Sequence, residues 1–119
     1  ARVRAATGDV PGVTMRDTTI TPTAPGDGKY PAQPIRALRF SVTDREVYDP
    51  TRMAIRLLVA IHRIHRDSLR LDAKGFDQRA GVAQVRAALE AGQSADEIWG
   101  AWSPGIERFR RDRMRFLLY

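Results

Sequence analysis

In Ala37-Leu38-Arg39-Phe40-Ser41-Val42-Thr43, apolar and polar side chains alternate without a break from Leu38 onward. Successive strand residues point to opposite faces, so Leu38, Phe40 and Val42 share one face and Arg39, Ser41 and Thr43 the other. Strands of this one-sided kind belong to antiparallel or mixed sheets with a single covered face. Upstream, Val13 to Pro22 is rich in Thr and β-branched residues, which suits a second strand. Between the two, residues 23–36 hold Pro25, Pro31 and Pro34 together with Gly26 and Gly28. Each Pro removes a backbone donor and each Gly loosens the chain, so this segment is expected to be a long Pro/Gly loop without ladder or helix. A connection of this length inside a compact domain is usually functional or disordered, which makes it the first place to look for a site.

Downstream the period changes from two to that of a helix. Asp49-Pro50 suits a helix start, since Asp caps free amides and Pro fits the first helical position. Ala54, Leu57, Leu58, Ile61, Ile64 and His65 then fall on one side, expected to pack on the sheet, and Arg52, Arg56, Arg63 and Arg66 on the other. Ile61→Asp is accordingly expected among the most damaging changes. Leu69 and Leu71 suggest a short strand over 68–72, and Gly75-Phe76-Asp77 a turn. Gly81 precedes a helix carrying Val82, Val85 and Leu89, closed by Gly92. Ser94 and Glu97 have the spacing of a reciprocal capping box. Ile98, Trp102, Ile106 and Phe109 follow at helical spacing, with Pro104 expected to kink that helix or restart it from Ser103. Phe116-Leu117-Leu118-Tyr119 is expected to dock on the core. The whole reads as one α+β domain over residues 1–119, a small antiparallel or mixed sheet packed on three or four helices.

A chain of 119 residues with 43% hydrophobic content supports one modest core. The absence of Cys excludes disulfides, thiolate metal sites and cysteine nucleophiles. The longest apolar run, Leu57 to Ile61, is far short of the ~20 residues that cross a bilayer, so no membrane span is expected. Ala1 is not a Met, and Ala1 to Ala6 reads like the tail of a helix begun elsewhere, so a piece of a larger protein is expected. Charge is unevenly placed: residues 1–35 are net +1, 36–66 net +4, 67–107 net −3 and 108–119 net +4. A dedicated nucleic-acid module more often gathers its charge in one stripe, so nucleic acid is disfavoured as a partner.

Candidate chemistry is sparse. Asp44 and Glu46 could form the carboxylate pair of a glycosidase, but turn residues are the better reading. His62 and His65, three apart, could offer two metal ligands, yet a third is not signalled, and His65 falls on the apolar side as a core or boundary histidine. No metal or cofactor is expected. The arginine faces read first as solvated surface, and their alternative is a basic binding module for nucleic acid or an anionic cell-wall polymer. Trp99 could stack a sugar or base, whereas Trp102 sits at a core position.

The order of these signals resembles a known family. Pro11-Gly12-Val13, Ile20-Thr21-Pro22, Lys29-Tyr30, Val42-Thr43-Asp44 and Pro50 in the first half stand in the order of the C-terminal domain of the exo-β-N-acetylmuramidase family. The second half continues it through Phe76-Asp77, Ala80-Gly81, Leu89, Gly92, Ile98, Trp102, Phe109, Arg113 and Leu117-Leu118-Tyr119. The resemblance implies a C-terminal accessory domain of a two-domain peptidoglycan glycoside hydrolase that removes N-acetylmuramic acid from non-reducing ends. Its partner would be a Rossmann-like N-terminal domain holding the catalytic glutamate, so no catalytic residue is expected in this chain. Lys29, Tyr30 and Asp44 would be substrate-binding and help close the sugar cleft, and a periplasmic or secreted location would follow. A purely structural covering domain is the third reading. The family usually follows Lys-Tyr with Gly, Cys and Gly; here Pro31-Ala32-Gln33-Pro34-Ile35-Arg36-Ala37 intervenes, which stiffens the loop.

Overall fold

Val13–Ile20 (β1) and Ile35–Val42 (β2) pair antiparallel along their whole length, from Val13 opposite Val42 to Ile20 opposite Ile35. Both strands lie where the alternation and the β-branched run put them, and the computed structural model, which describes residues 1–117, is an α+β fold with a two-stranded sheet. Residues directly opposite share a face, so Val13 and Met15 stand with Val42 and Phe40. Val13 is buried, but Phe40 and Val42 keep 39% and 46% of their surface exposed. The expected single covered face is thus only partly covered.

The chain divides into two compact units, residues 1–50 and 51 onward. In the first, α1 (Arg2–Thr7) contacts β1, and Arg4 Nε lies 2.9 Å from Asp17 Oδ2. The Thr7 hydroxyl, in a buried residue, donates to the Val3 carbonyl at 2.9 Å, so its burial leaves no polar atom stranded. The base of the hairpin is closed at Gly12, whose carbonyl accepts from the Thr43 and Asp44 amides at 2.9 and 3.2 Å.

The second unit is helical: α2 (Pro50–Ile64), α3 (Ala73–Ala80), α4 (Gln84–Glu90) and α5 (Ala95–Arg113), then a 3-10 turn over Met114–Phe116. Its core is Ile55 of α2, Val85 and Leu89 of α4 and Ile98 of α5, with Leu58, Val59, Leu71, Phe76 and Trp102 packed around them. This corrects the expected face of α2. Met53, Ile55 and Ala60 are its buried residues, Ile61 is half-buried, and Ala54 and His65 are exposed. The partners the core gives Ile55 lie on α4 and α5.

Two further expectations are corrected in the middle of the chain. Residues 68–72 form no strand, although Leu71 does pack on the core. Gly75-Phe76-Asp77 is not a turn but lies inside α3, because Asp72 Oδ2 accepts the Gly75 amide at 2.6 Å and starts the helix there. A Cβ on Gly75 would stand 2.5 Å from that oxygen, so glycine here permits the cap instead of breaking the helix.

Two further helix signals hold. Gly92 ends α4 in a Schellman motif: its amide reaches the Leu89 carbonyl at 2.9 Å and the Gln93 amide the Ala88 carbonyl at 3.0 Å, with φ of 76° at Gly92. Ser94 and Glu97 form the full reciprocal capping box. Pro104 neither ends nor restarts α5; it removes one donor from the Gly100 carbonyl, and the Ser103 hydroxyl lies 3.5 Å from that oxygen. Phe109 and Phe116 are exposed, so neither joins the core, and Leu117 keeps 42% exposure. Leu118 and Tyr119, the rest of the expected docking strip, lie outside the described residues. No helix among the described residues is long and apolar enough to cross a membrane.

The capping box makes a pH prediction. Hydrogen bonds from the Ser94 hydroxyl and then its backbone amide hold the Glu97 carboxyl below the usual glutamate range. A depressed carboxylate contributes stability above its unfolded-state value and loses it as pH falls through the folded one. Ser94→Ala should therefore lower stability at neutral pH by about 1 kcal/mol and flatten the decline on acidification, read from urea midpoints between neutral and acid pH.

Candidate functional site

The loop between β1 and β2 is closed by its own backbone. The Ala32 amide donates to the Pro22 carbonyl at 2.7 Å across the neck, the Gly28 amide to Pro25 at 2.9 Å, and the Gln33 amide to Tyr30 at 3.3 Å. Asp27 Oδ1 accepts the Lys29 amide at 3.1 Å, an Asx turn that sets Lys29 and Tyr30 at the tip. Residues 21–34 have turns but neither ladder nor helix, as their Pro and Gly content requires, whereas Ile35 and Arg36, expected within the loop, already pair in β2. Tyr30 and Ala32 take φ of 53° and 55°, left-handed backbone that costs an L-residue of the order of 1–2 kcal/mol. Tyr30 nevertheless leaves 59% of its surface exposed, and Lys29 is exposed beside it.

Asp44 is elsewhere. It follows β2 at the base of the hairpin, where its Oδ1 accepts the Glu46 amide at 2.9 Å and its carbonyl the Tyr48 amide at 3.2 Å. The eight-residue ladder lies between Asp44 and the tip, roughly 23 Å at about 3.3 Å per residue. Lys29 and Tyr30 are therefore brought together and Asp44 is not; the same sugar ring cannot touch both ends. The Asp44 and Glu46 pair is a turn, as its plainer reading had it.

A second concavity lies in the helical unit, a groove of about 530 Å³ between α4 and α5, lined among others by Val82, Ala88, Ala91, Ala101 and Trp102. Nothing in the sequence reading marked it; the signal was the run of alanines on the two helices, whose small side chains leave space between backbones. Trp99 is not the free stacking platform expected from its spacing, because it is half-buried against the core and the Arg52 guanidinium lies 5.8 Å from its ring centre. Arg86 is held by Asp77 at 2.9 Å and Glu90 at 3.2 Å, a partly buried link between α3 and α4. Hydrogen bonding to Asp77, more than any other cause, raises its affinity for the proton. Among the described residues no three His, Asp or Glu side chains converge as a metal site.

The family model described as exo-β-N-acetylmuramidase NamZ, C-terminal, matches residues 1–119. The chain belongs to this family. It is 26% identical over 111 residues to the peptidoglycan β-N-acetylmuramidase NamZ of Bacillus subtilis (strain 168), an alignment covering 92% of this chain and 26% of that protein. The chain thus spans about a quarter of the length of that curated relative. No solved structure matches it. The family read from the order of its motifs is therefore the right one, the C-terminal domain of exo-β-N-acetylmuramidases.

Proposed function

We propose that this chain is the accessory C-terminal part of an exo-acting N-acetylmuramidase and that its hairpin tip completes the sugar cleft of a Rossmann-like N-terminal domain carrying the catalytic glutamate. The observation that carries this reading is the closed tip loop, which holds Tyr30 exposed in left-handed backbone with Lys29 beside it. Non-glycine residues persist in such backbone where surrounding structure over-determines them, and they cluster at ligand clamps. The phenol ring offers a flat apolar face for the C–H side of a pyranose and a hydroxyl at its edge. The Lys29 ammonium suits the carboxylate that distinguishes muramic acid from its unsubstituted neighbour in the glycan. Asp44, one ladder away, would meet a different part of an extended glycan.

Tyr30→Ala in the full-length enzyme should lower kcat/KM for a muramic-acid glycoside about tenfold, a loss of about 1.4 kcal/mol in transition-state binding. The melting temperature should not move, because the side chain is mostly in solvent. Unaltered kinetics would remove the loop from the site.

A further inference from the structure

Beyond Pro104, Ile106 of α5 is still half-buried, but the large apolar residues from Phe109 to Phe116 are uncovered. Ile98 and Trp102, earlier on the same helix, are in or against the core, whereas Phe109, Met114 and Phe116 are 65%, 66% and 78% exposed. Residues 108–115 also carry five arginines and one aspartate. Arg110 is engaged by Glu107 at 2.7 Å and Arg115 by Asp112 at 3.5 Å, while Arg108, Arg111 and Arg113 form no ion pair among the described residues. Isolated apolar residues on a surface are ordinary, but a contiguous strip of them marks an interface. Phe109 and Phe116, seven residues apart, fall on one side of the helical path with Met114 on the turn between them, and a helix end with i and i+7 anchors has the form that docks into a groove.

The sequence relationship indicates the occupant. About three-quarters of the curated relative lies outside the matched region, and a covalently attached partner is present at roughly millimolar effective concentration, so modest complementarity suffices. Net positive charge on the strip calls for carboxylates opposite. We infer that the C-terminal end of α5 and the following 3-10 turn form the docking surface for the catalytic domain, which would present an apolar depression ringed by Asp and Glu. The inference rests on the proposed function, and it names a part of the chain that the hairpin tip does not include.

Methionine oxidation by peroxide, read residue by residue by mass spectrometry, tests it. Susceptibility follows exposure; Met114 is exposed and Met53, 5% exposed, is the internal control. Met114 should oxidise quickly in the isolated chain and several-fold more slowly in the full-length enzyme, with Met53 slow in both. In the full-length Phe109→Ser/Phe116→Ser variant Met114 should return to the isolated-chain rate, with the isolated variant's melting unchanged because both side chains face solvent. Equal Met114 rates in the isolated chain and in a full-length protein that has its upstream domain would overturn this inference alone. A reading frame without such a domain would sink the proposed function with it. Protection by phosphatidylglycerol vesicles, without protection in the full-length protein, would assign the strip to a bilayer and overturn the inference as well.

Discussion

Ile55→Asp is expected to abolish cooperative folding of the helical unit. Ile55 is 3% exposed and meets Val85, Leu89 and Ile98, all apolar, so a carboxylate there would have neither water nor a donor. Burial of an unpartnered charge, added to the lost packing, should cost about 4 kcal/mol or more, a large share of the roughly 5–15 kcal/mol that holds a domain of this size folded. Ile61→Asp, on the half-buried flank of the same helix, should cost much less because its carboxylate can reach solvent. Urea titration of the two variants, followed by helical circular dichroism, separates them; equal midpoints would mean that the core of this unit is not centred on Ile55.

Gly12→Ala is the second large effect. Gly12 has φ of 75°, and a Cβ there would stand 2.5 Å from the Asp44 carbonyl oxygen, 2.8 Å from the Tyr48 amide nitrogen and 2.9 Å from Tyr48 Cβ. Left-handed backbone costs alanine about 1 kcal/mol or more, and three contacts too short for any real Cβ add an overpacking cost of about 1–3 kcal/mol. The backbone must therefore move, and the Thr43 and Asp44 amides lose the Gly12 carbonyl. Amide hydrogen exchange at Thr43 and Asp44 should accelerate sharply in Gly12→Ala. Gly81→Ala is the control: its φ of 78° and ψ of −11° are left-handed, but nothing lies within 4 Å of the added Cβ, so only the conformational cost remains. If both variants lost the same stability, the close approach at Gly12 would not be what closes the hairpin.

The strands, the capping box and the Gly92 stop were legible because each rests on local chemistry that a few neighbouring residues complete. The face of α2 was not. Apolar residues at 53–55 and 57–61 wrap most of that helix, so its period fixes a helix without fixing which side is inside; the phase is set by Val85, Leu89 and Ile98, residues far away in sequence. Gly75 misled for a related reason, since a glycine inside a helix reads as a break until Asp72 is seen to need the space above it. Phe109 has core spacing yet faces outward, because periodicity reports a shared face and says nothing of what covers it.

The candidate site was legible in part. Pro and Gly marked the loop, and the family motifs marked Lys29 and Tyr30. That Asp44 lies a full ladder away was implicit in an antiparallel hairpin, where the connection and the residue after the second strand must fall at opposite ends. Left-handed backbone at Tyr30 and Ala32 could not have been read from residue types, since neither favours it.

The role of the hairpin tip is most directly tested by removing it. Ile20 and Ile35 pair directly, so residues 21–34 can be replaced by Asn-Gly, the two-residue turn that suits an antiparallel hairpin, in the full-length enzyme. The predicted result is an unchanged melting temperature with kcat/KM for a muramic-acid glycoside lowered by more than about tenfold. Full kcat/KM in a folded protein without the loop would contradict the claim that this domain completes the sugar cleft.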